Sequence, residues 1–145
     1  MIGLLQRVSS ASVSVDGTVI SEIGRGLLVL VAVHRDDEVR DIARLAERIL
    51  SYRVFPDSED RMNLSVQDVS GSLLLVPQFT LTADTRKGTR ASFTRGAAPE
   101  IASDYFDRLV ATCSETLKTV ASGRFGADMQ VSLTNDGPVT FWLES

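Results

Sequence analysis

Apolar and polar residues alternate through the first third of the chain in a way that predicts β-structure. Four segments are predicted to be strands: Ile2–Val8, Ala11–Val15, Thr18–Ile23 and Leu27–Val33. Asp16-Gly17, between the second and third segments, is typical of a tight hairpin turn. The fourth segment is apolar throughout, which indicates a strand buried on both faces.

Two later segments show helical spacing of their apolar residues. The first begins near Asp36–Glu38, because carboxylates are favoured at the positive end of the helix dipole. Its apolar face is predicted to comprise Val39, Ile42, Ala43, Ala46, Ile49 and Leu50. The second opens at Pro99 and is predicted to run to Leu117. Its inward residues are predicted to be Ile101, Tyr105, Leu109, Val110 and Cys113.

The remaining segments complete an alternation of β-structure and helix. Predicted strands are Ser72–Leu81, Met129–Leu133 and Val139–Leu143, with loops at Pro56–Ser58 and Thr82–Ala98 and a turn at Asn135–Pro138. Within the first of these strands, Gln78 and Thr80 would share one face. This order predicts an α/β (α+β) fold, in which two main helices pack on a curled mixed or antiparallel sheet. We expect residues 1–145 to form a single domain.

Composition and charge narrow the possible classes of protein. The chain has 43% hydrophobic residues, one cysteine and a net charge of −4. Its longest apolar run, Gly26–Val33, is too short to span a bilayer, so we expect a cytoplasmic protein with no membrane partner. The negative charge argues against a broad DNA-binding surface. One loop is nevertheless basic, and it is either simply solvated or contacts RNA through Arg86, Lys87, Arg90 and Arg95.

The sequence lacks the residue sets of several common active sites. His34, the only histidine, follows an apolar run beside Arg35, which favours a surface residue over a catalytic base. One histidine and one cysteine do not make a usual zinc site, and no glycine-rich phosphate loop is present. Cys113 is interpreted as a core residue. An enzyme of this sequence is therefore expected to use backbone groups, hydroxyls, amides or the substrate itself, with no metal and no cofactor.

Two short motifs carry residues that a strand core does not need, namely Pro77-Gln78-Phe79-Thr80-Leu81 and Asn135-Asp136-Gly137-Pro138-Val139-Thr140. With them, the chain resembles the D-aminoacyl-tRNA deacylase family over essentially its whole length. The matching segments are Ile2–Val8, Arg61–Leu64, Gln78–Leu81, Gly123–Phe125, Asp128–Leu133 and Asn135–Thr140. The last of these is the family's Asn-x-Gly-Pro-x-Thr signature.

The resemblance implies a homodimer that acts in translation quality control. Each active site would lie at the subunit interface and hydrolyse the ester between a D-amino acid and the 3′-terminal adenosine of tRNA. The implied roles place Gly137 and Pro138, joined by a cis bond, in the partner's pocket as the chiral filter. Arg7 would support that pair, and Asn135 belongs to the same signature. The resemblance also implies a reaction centre of Gln78, Phe79 and Thr80, and an adenine cradle of Phe125, Met129 and Ala102.

Backbone carbonyls at Gly137 and Pro138 would accept from the substrate ammonium and leave no room for an L side chain. Glycine has no side chain, so Gly-tRNA is expected to be cleaved too. For the hydrolysis, backbone N–H groups near Phe79 and Thr80 are candidate oxyanion donors. Thr80 Oγ1 would act as the nucleophile or position the water, or the 2′-hydroxyl of the substrate would serve instead. The second, substrate-assisted route is slightly favoured.

The chain departs from the family pattern at Pro77, where Ser is usual. Proline removes a hydroxyl and a backbone N–H, so a role of either group does not carry over. A related branch that clears mischarged L-Ala-tRNA has Pro-Gln at this point, whereas Arg7, Phe79 and the Gly-Pro signature favour the D-specific branch. A non-catalytic module that binds the tRNA 3′ end is the alternative from a different class.

Overall fold

The computed structural model describes residues 1–145 and contains two sheets, two α-helices and one short 3₁₀ turn. The strands are β1 (Ile2–Val15), β2 (Thr18–Ile23), β3 (Gly26–Ala32), β4 (Phe55–Pro56), β5 (Met62–Leu64), β6 (Ser72–Pro77), β7 (Val120–Ser122) and β8 (Gln130–Glu144). The helices are α1 (Val39–Ser51) and α2 (Pro99–Ser114), and the 3₁₀ turn is Phe79–Thr82. No helix is both long and apolar enough to cross a bilayer.

The long strand β1 organises the main sheet. One of its edges pairs antiparallel with β8 along nearly its whole length. The other edge pairs antiparallel with β3 in its first half and with β2 in its second half. Beyond β3, strands β6 and β7 continue the sheet in parallel. The sheet curls until Ser21 Oγ of β2 donates to the carbonyl of Ser122 in β7. The predicted α/β fold, with two helices on a curled mixed sheet, is confirmed.

Strand β3 is buried on both faces, as its uninterrupted apolar run predicts. Leu27, Val29 and Val31 belong to a core of 22 buried residues that the sheet shares with α1 and α2. Leu28, which points the other way, belongs to a second cluster of seven buried residues inside the curl. Cys113 lies fully buried in the larger core, in agreement with its interpretation as a core residue.

The predicted strand Ser72–Leu81 is too long. Strand β6 ends at Pro77, and the chain then tightens into the 3₁₀ turn, where Leu81 N–H donates to the carbonyl of Gln78. Gln78 and Thr80 therefore do not alternate along a strand. Conversely, Ile2–Val8 and Ala11–Val15 form one strand, because the pairing with β8 resumes beyond an irregularity around Val8.

The predicted turn at Asn135–Pro138 is also wrong. Instead of reversing, β8 continues in one direction from Gln130 to Glu144. In the pairing of β1 with β8, Gln6 lies opposite Thr140 and Val8 lies opposite Asn135. One residue of β1 thus faces the four residues 136–139 of β8, a segment that we call the Gly-Pro bulge. Proline has no N–H to donate, which favours its position outside the ladder.

The helical faces differ from the prediction at a few positions. Val39 and Ala43 of α1 are exposed, while Leu45, not predicted, is buried. In α2, which ends at Ser114 rather than Leu117, Ile101 is exposed. Its buried residues are Ala102, Phe106, Leu109 and Cys113. The short β4–β5 pair, placed partly in the predicted loop at Pro56–Ser58, was missed.

Candidate functional site

Two adjoining cavities open where β6 ends. Pro77, Gln78, Phe79 and Phe125 line both of them. The first cavity, of about 150 Å³, is completed by Val31, Ala32, Val33, Phe93, Gly96, Ala97, Ala102 and Phe106. The second, of about 310 Å³, is completed by Val76, Gly126, Ala127, Met129 and Val131. Ligand sites in sheets with parallel strands commonly lie at the carboxyl ends of those strands, which is the position found here.

The end of β6 is held in place by the neighbouring strand and by the 3₁₀ turn. The backbone N–H of Gln78 donates to the carbonyl of Val31 at 2.7 Å. The buried hydroxyl of Thr82 donates to the carbonyl of Phe79 at 2.8 Å and so closes the turn from inside. As a result, Phe79 projects outward with 59% of its surface exposed.

Neither cavity is lined by an ionisable side chain. Thr80, the predicted nucleophile candidate, lies beside them, and its Oγ1 accepts a hydrogen bond from the Gln78 amide. An amide is neutral and does not remove a proton from the hydroxyl. His34 is half-buried and lines neither cavity. Burial raises the pKa of Cys113 to about 12, so this thiol remains protonated near neutral pH.

The residues predicted to cradle adenine lie in both cavities rather than in one. Ala102 lines only the first cavity, Met129 lines only the second, and Phe125 lines both. The sulfur of Met129 accepts a hydrogen bond from the backbone N–H of Arg124, which precedes Phe125. Phe125 and Met129 therefore form one wall, and Ala102 belongs to a different one.

The second predicted group surrounds the Gly-Pro bulge. The Gly137–Pro138 peptide bond is cis, and both residues are exposed. Arg7 Nε donates to the carbonyl of Asp136 at 3.0 Å, and Arg7 Nη1 donates to the carbonyl of Val54 at 2.6 Å. Asn135 Nδ2 donates to the carbonyls of Arg7 and Val139, at the two sides of the bulge. Arg7 and Asn135 thus fix the base of the bulge.

The two groups do not meet within one chain. Neither Gly137 nor Pro138 lines either cavity. Strands β1 and β3 lie between β8 and β6, and three spacings of about 4.8 Å amount to roughly 14 Å. The outer edge of β8 has no strand partner, so the bulge lies on an open side of the sheet.

The four cationic residues predicted to contact RNA differ in position and in ion pairing. Asp84 and Ser92 pair through two backbone hydrogen bonds and close a hairpin, residues 84–92, which we call the basic hairpin. Arg86 donates to both carboxylate oxygens of Asp84, and this hydrogen bonding holds the pKa of that carboxyl well below its usual range. Lys87 and Arg90 line the same hollow with no ion pair. Arg95 lies outside the hairpin.

Sequence reasoning missed Phe93. This residue follows the basic hairpin and lines the first cavity opposite Phe79, with ring centroids 5.2 Å apart. Its position in the sequence could have indicated a role in the site. Phe93 is an aromatic residue in a long polar loop, and it can pack against the rest of the protein only if the loop folds back.

Comparison with known proteins identifies the family. The D-Tyr-tRNA(Tyr) deacylase family matches residues 4–144. The chain belongs to this family. A D-aminoacyl-tRNA deacylase of Alkalilimnicola ehrlichii is 61% identical over all of this chain and 97% of its own length. One of Vibrio cholerae is 59% identical over the full length of both chains.

Solved structures agree with the fold. A structure named c-Myc DNA Unwinding Element Binding Protein matches with a TM-score of 0.95 and 37% identity, over 100% of this chain and 99% of the other. A probable eukaryotic D-amino acid tRNA deacylase matches with a TM-score of 0.85 over 99% and 98% of the two chains, and at 17% identity it supports the fold alone. The family and the hydrolase class predicted from the sequence are confirmed.

Proposed function

We propose that this chain hydrolyses the ester of D-aminoacyl-tRNA and discriminates chirality with the Gly-Pro bulge of a second copy. The observation that carries the proposal is the separation within one chain of the bulge from the cavities at the end of β6. Both groups belong to the motifs on which the resemblance depends, yet about three strand spacings lie between them. A second copy brings them together without any change of fold.

The open edge of β8 supports a homodimer. This strand has 15 residues and pairs only with β1, so its other edge has free backbone groups. It also exposes large apolar side chains, with Trp142 49% and Leu133 37% exposed. Long unpaired edges are usually covered in native proteins. A two-fold dimer uses the same surface twice, so each bulge would enter the cavity of the partner.

In the assembled site, the carbonyls of Gly137 and Pro138 would accept from the substrate ammonium group. The backbone beside them would occupy the space that an L side chain needs, so selection would be steric. Gly-tRNA, which has no side chain to reject, would then be cleaved as well. Phe125 and Met129 would contact the terminal adenine from one side and Ala102 from another.

The chemistry in this proposal depends on the backbone and on the substrate. The N–H groups of Phe79 and Thr80 begin the 3₁₀ turn, and the first N–H groups of a helical turn have no acceptor inside it. They would stabilise the oxyanion that forms when water attacks the ester carbonyl. The substrate 2′-hydroxyl would position that water, and the 3′-oxygen would leave with a proton. The products are the free D-amino acid and tRNA.

We place the reaction in the cytoplasm, where aminoacyl-tRNA is used, and assign tRNA rather than DNA as the partner. The name of one similar structure refers to DNA binding. A net charge of −4 disfavours a long duplex, whereas the basic hairpin suits a single RNA end. Lys87 and Arg90 are the stronger candidates for phosphate contacts, because Arg86 is occupied by Asp84.

A comparison of four charged tRNAs tests the activity. D-Tyr-tRNA and Gly-tRNA should be deacylated, and L-Tyr-tRNA should remain intact. Cleavage of mischarged L-Ala-tRNA without D-Tyr-tRNA would instead assign the chain to the L-Ala-specific relatives. Binding of every tRNA without turnover would assign it to the non-catalytic class. Cleavage of D-Tyr-tRNA with Gly-tRNA wholly inert would contradict the steric filter.

Subunit mixing tests the shared site. An Ala127→Trp variant fills the second cavity, and a Gly137→Val variant adds a side chain to the bulge that enters the partner's cavity. Each is expected to be nearly inactive as a homodimer. In a mixed dimer, the intact cavity of one chain faces the intact bulge of the other, so one site per dimer should recover. If both groups acted within one chain, mixing would restore nothing.

A further inference from the structure

The loop that follows the reaction centre joins an aromatic pair to a basic hollow. Phe79 and Phe93 stand at the mouth of the first cavity, and the basic hairpin immediately precedes Phe93 in the chain. The far end of this loop is anchored, because Ala97 N–H donates to the carbonyl of Val33 and Arg35 N–H donates to the carbonyl of Arg95. The hairpin is therefore held next to the cavity, between the 3₁₀ turn at its near end and this anchor at its far end.

The aromatic pair is unusual for its exposure. Phe93 is 45% exposed and Phe79 59% exposed, although both rings contact the same apolar cavity. Their planes are tilted by 56°, so the two rings do not cover each other face to face. Exposed aromatic surface of this kind, at the edge of a cavity, is suited to stacking with a nucleobase.

The charges beside this pair are arranged asymmetrically. Asp84 supplies the only carboxylate of the hollow, and Arg86 occupies it through two donors. Lys87 and Arg90 line the hollow, of about 410 Å³, with no acidic partner. The hairpin thus presents two uncompensated positive charges next to an aromatic surface. Aromatic platforms beside basic grooves are typical of proteins that bind single-stranded nucleic acid.

We propose that Phe93 stacks on the nucleobase that precedes the terminal adenosine, and that Lys87 and Arg90 bind the phosphates beside that base. The inference rests on the proposed function, since it extends the substrate site from the terminal nucleoside to the single-stranded end. In this arrangement the terminal nucleoside enters the cavity, and the strand leaves past Phe93 towards the hairpin. Asp84 and Arg86 shape the hairpin and do not contact RNA.

Three substrates of increasing length test the inference. They are D-tyrosine esterified to adenosine alone, to the trinucleotide CCA, and to full-length tRNA. Phe93→Ala should lower kcat/KM about tenfold with CCA and tRNA, as expected for the loss of one base-stacking contact. The loss with D-tyrosyl-adenosine should be much smaller, because that substrate has no preceding base to stack on Phe93. Phe93→Tyr, which retains an aromatic ring, should behave as the wild type with all three.

The roles of Lys87 and Arg90 are tested by a separate measurement, the salt dependence of KM. With the tRNA substrate, Lys87→Ala combined with Arg90→Ala should raise KM. It should also reduce the slope of log KM against log salt concentration by about 1.4, because each lost phosphate contact with a single strand lowers the slope by about 0.7. Arg44→Ala combined with Lys118→Ala is the matched control. It also removes two formal charges, from exposed positions outside the loop, so the slope should change little.

An equal loss of activity with all three substrates would overturn the inference, because Phe93 would then only support Phe79 or contact a partner chain. No loss with any substrate would overturn it as well. A wild-type protein that cleaves none of the three would contradict the proposed function itself, so the two failures are distinguishable.

Discussion

The side chain of Arg7 donates a hydrogen bond to the backbone carbonyl of Asp136. Arg7 Nε lies 3.0 Å from the Asp136 carbonyl oxygen, and the same nitrogen lies 3.3 Å from Asp136 Oδ2. Because Asp136 directly precedes Gly137, this contact fixes the chain at the entrance to the Gly-Pro bulge. Arg7 is also the one residue of β1 that faces the bulge. Arg7 thus supplies a side-chain donor where the backbone pairing between β1 and β8 is interrupted.

Replacing Arg7 by Ala should destabilise the protein and disturb the bulge. The side chain is 12% exposed, and its removal leaves the carbonyl of Val54 without this donor. Loss of a partner for such a group costs about 1–3 kcal/mol. Urea unfolding should register this loss, together with reduced discrimination between D-Tyr-tRNA and L-Tyr-tRNA.

Asp136→Asn is the matched control for Arg7. It retains the carbonyl that accepts from Arg7 and removes only an exposed ion pair, worth about 0–1 kcal/mol. Its stability and chiral discrimination should stay close to the wild type. A stability loss as large as that of Arg7→Ala would assign the main effect to the charge rather than to the carbonyl contact.

Gly26→Ala is expected to disrupt the sheet. A Cβ atom at Gly26 would lie 1.8 Å from the carbonyl oxygen of Ser72, so β3 and β6 would have to separate. Overpacking against backbone, which has no rotamer to relieve it, should cost at least about 3 kcal/mol of unfolding free energy. Gly24→Ala, whose Cβ meets nothing within 4 Å, should change the midpoint of chemical unfolding little. Equal midpoints for the two variants would refute this account.

Thr80→Ala should keep most of the deacylation rate. Thr80 Oγ1 accepts from the neutral Gln78 amide, and no base lines the cavities. If Thr80 were the nucleophile, its removal would lower kcat by several orders of magnitude rather than by a small factor. Single-turnover rates with D-Tyr-tRNA decide between the two. D-Tyr-tRNA that ends in 2′-deoxyadenosine should react far more slowly if the substrate hydroxyl positions the water.

Cys113 should be inert in the folded protein. Burial raises the pKa of its thiol to about 12, so little thiolate is present at pH 8, and the side chain is fully buried. Iodoacetamide should therefore modify it only after denaturation. The folded state favours the neutral thiol, and the unfolded thiol ionises at lower pH. Stability from this group is therefore complete below the unfolded pKa and falls as pH rises towards 12. Rapid alkylation of native protein at pH 8 would contradict this burial.

The sequence by itself determined the order and type of most elements. The Asp16-Gly17 turn and the uniformly apolar run of β3 have local causes, namely turn geometry and burial on both faces. The boundaries of β2 followed from the same local pattern. The family could also be predicted, because the two motifs at residues 77–81 and 135–140 occur in the same order as in that family.

Tertiary structure decided where short segments leave the regular pattern. The local sequence of Asn135–Pro138 is typical of a turn. However, β8 pairs with β1 both before and after this segment, so the strand keeps its direction and the segment forms a bulge. Likewise, strand propensity continues past Pro77, but Pro77 is the last residue of β6 that pairs with β3, opposite Val31, and the chain beyond it forms the 3₁₀ turn. Phe93 acquires a place in the site only because its loop folds back onto Phe79. Local propensity is a property of neighbours in sequence, whereas these three outcomes depend on contacts between distant segments.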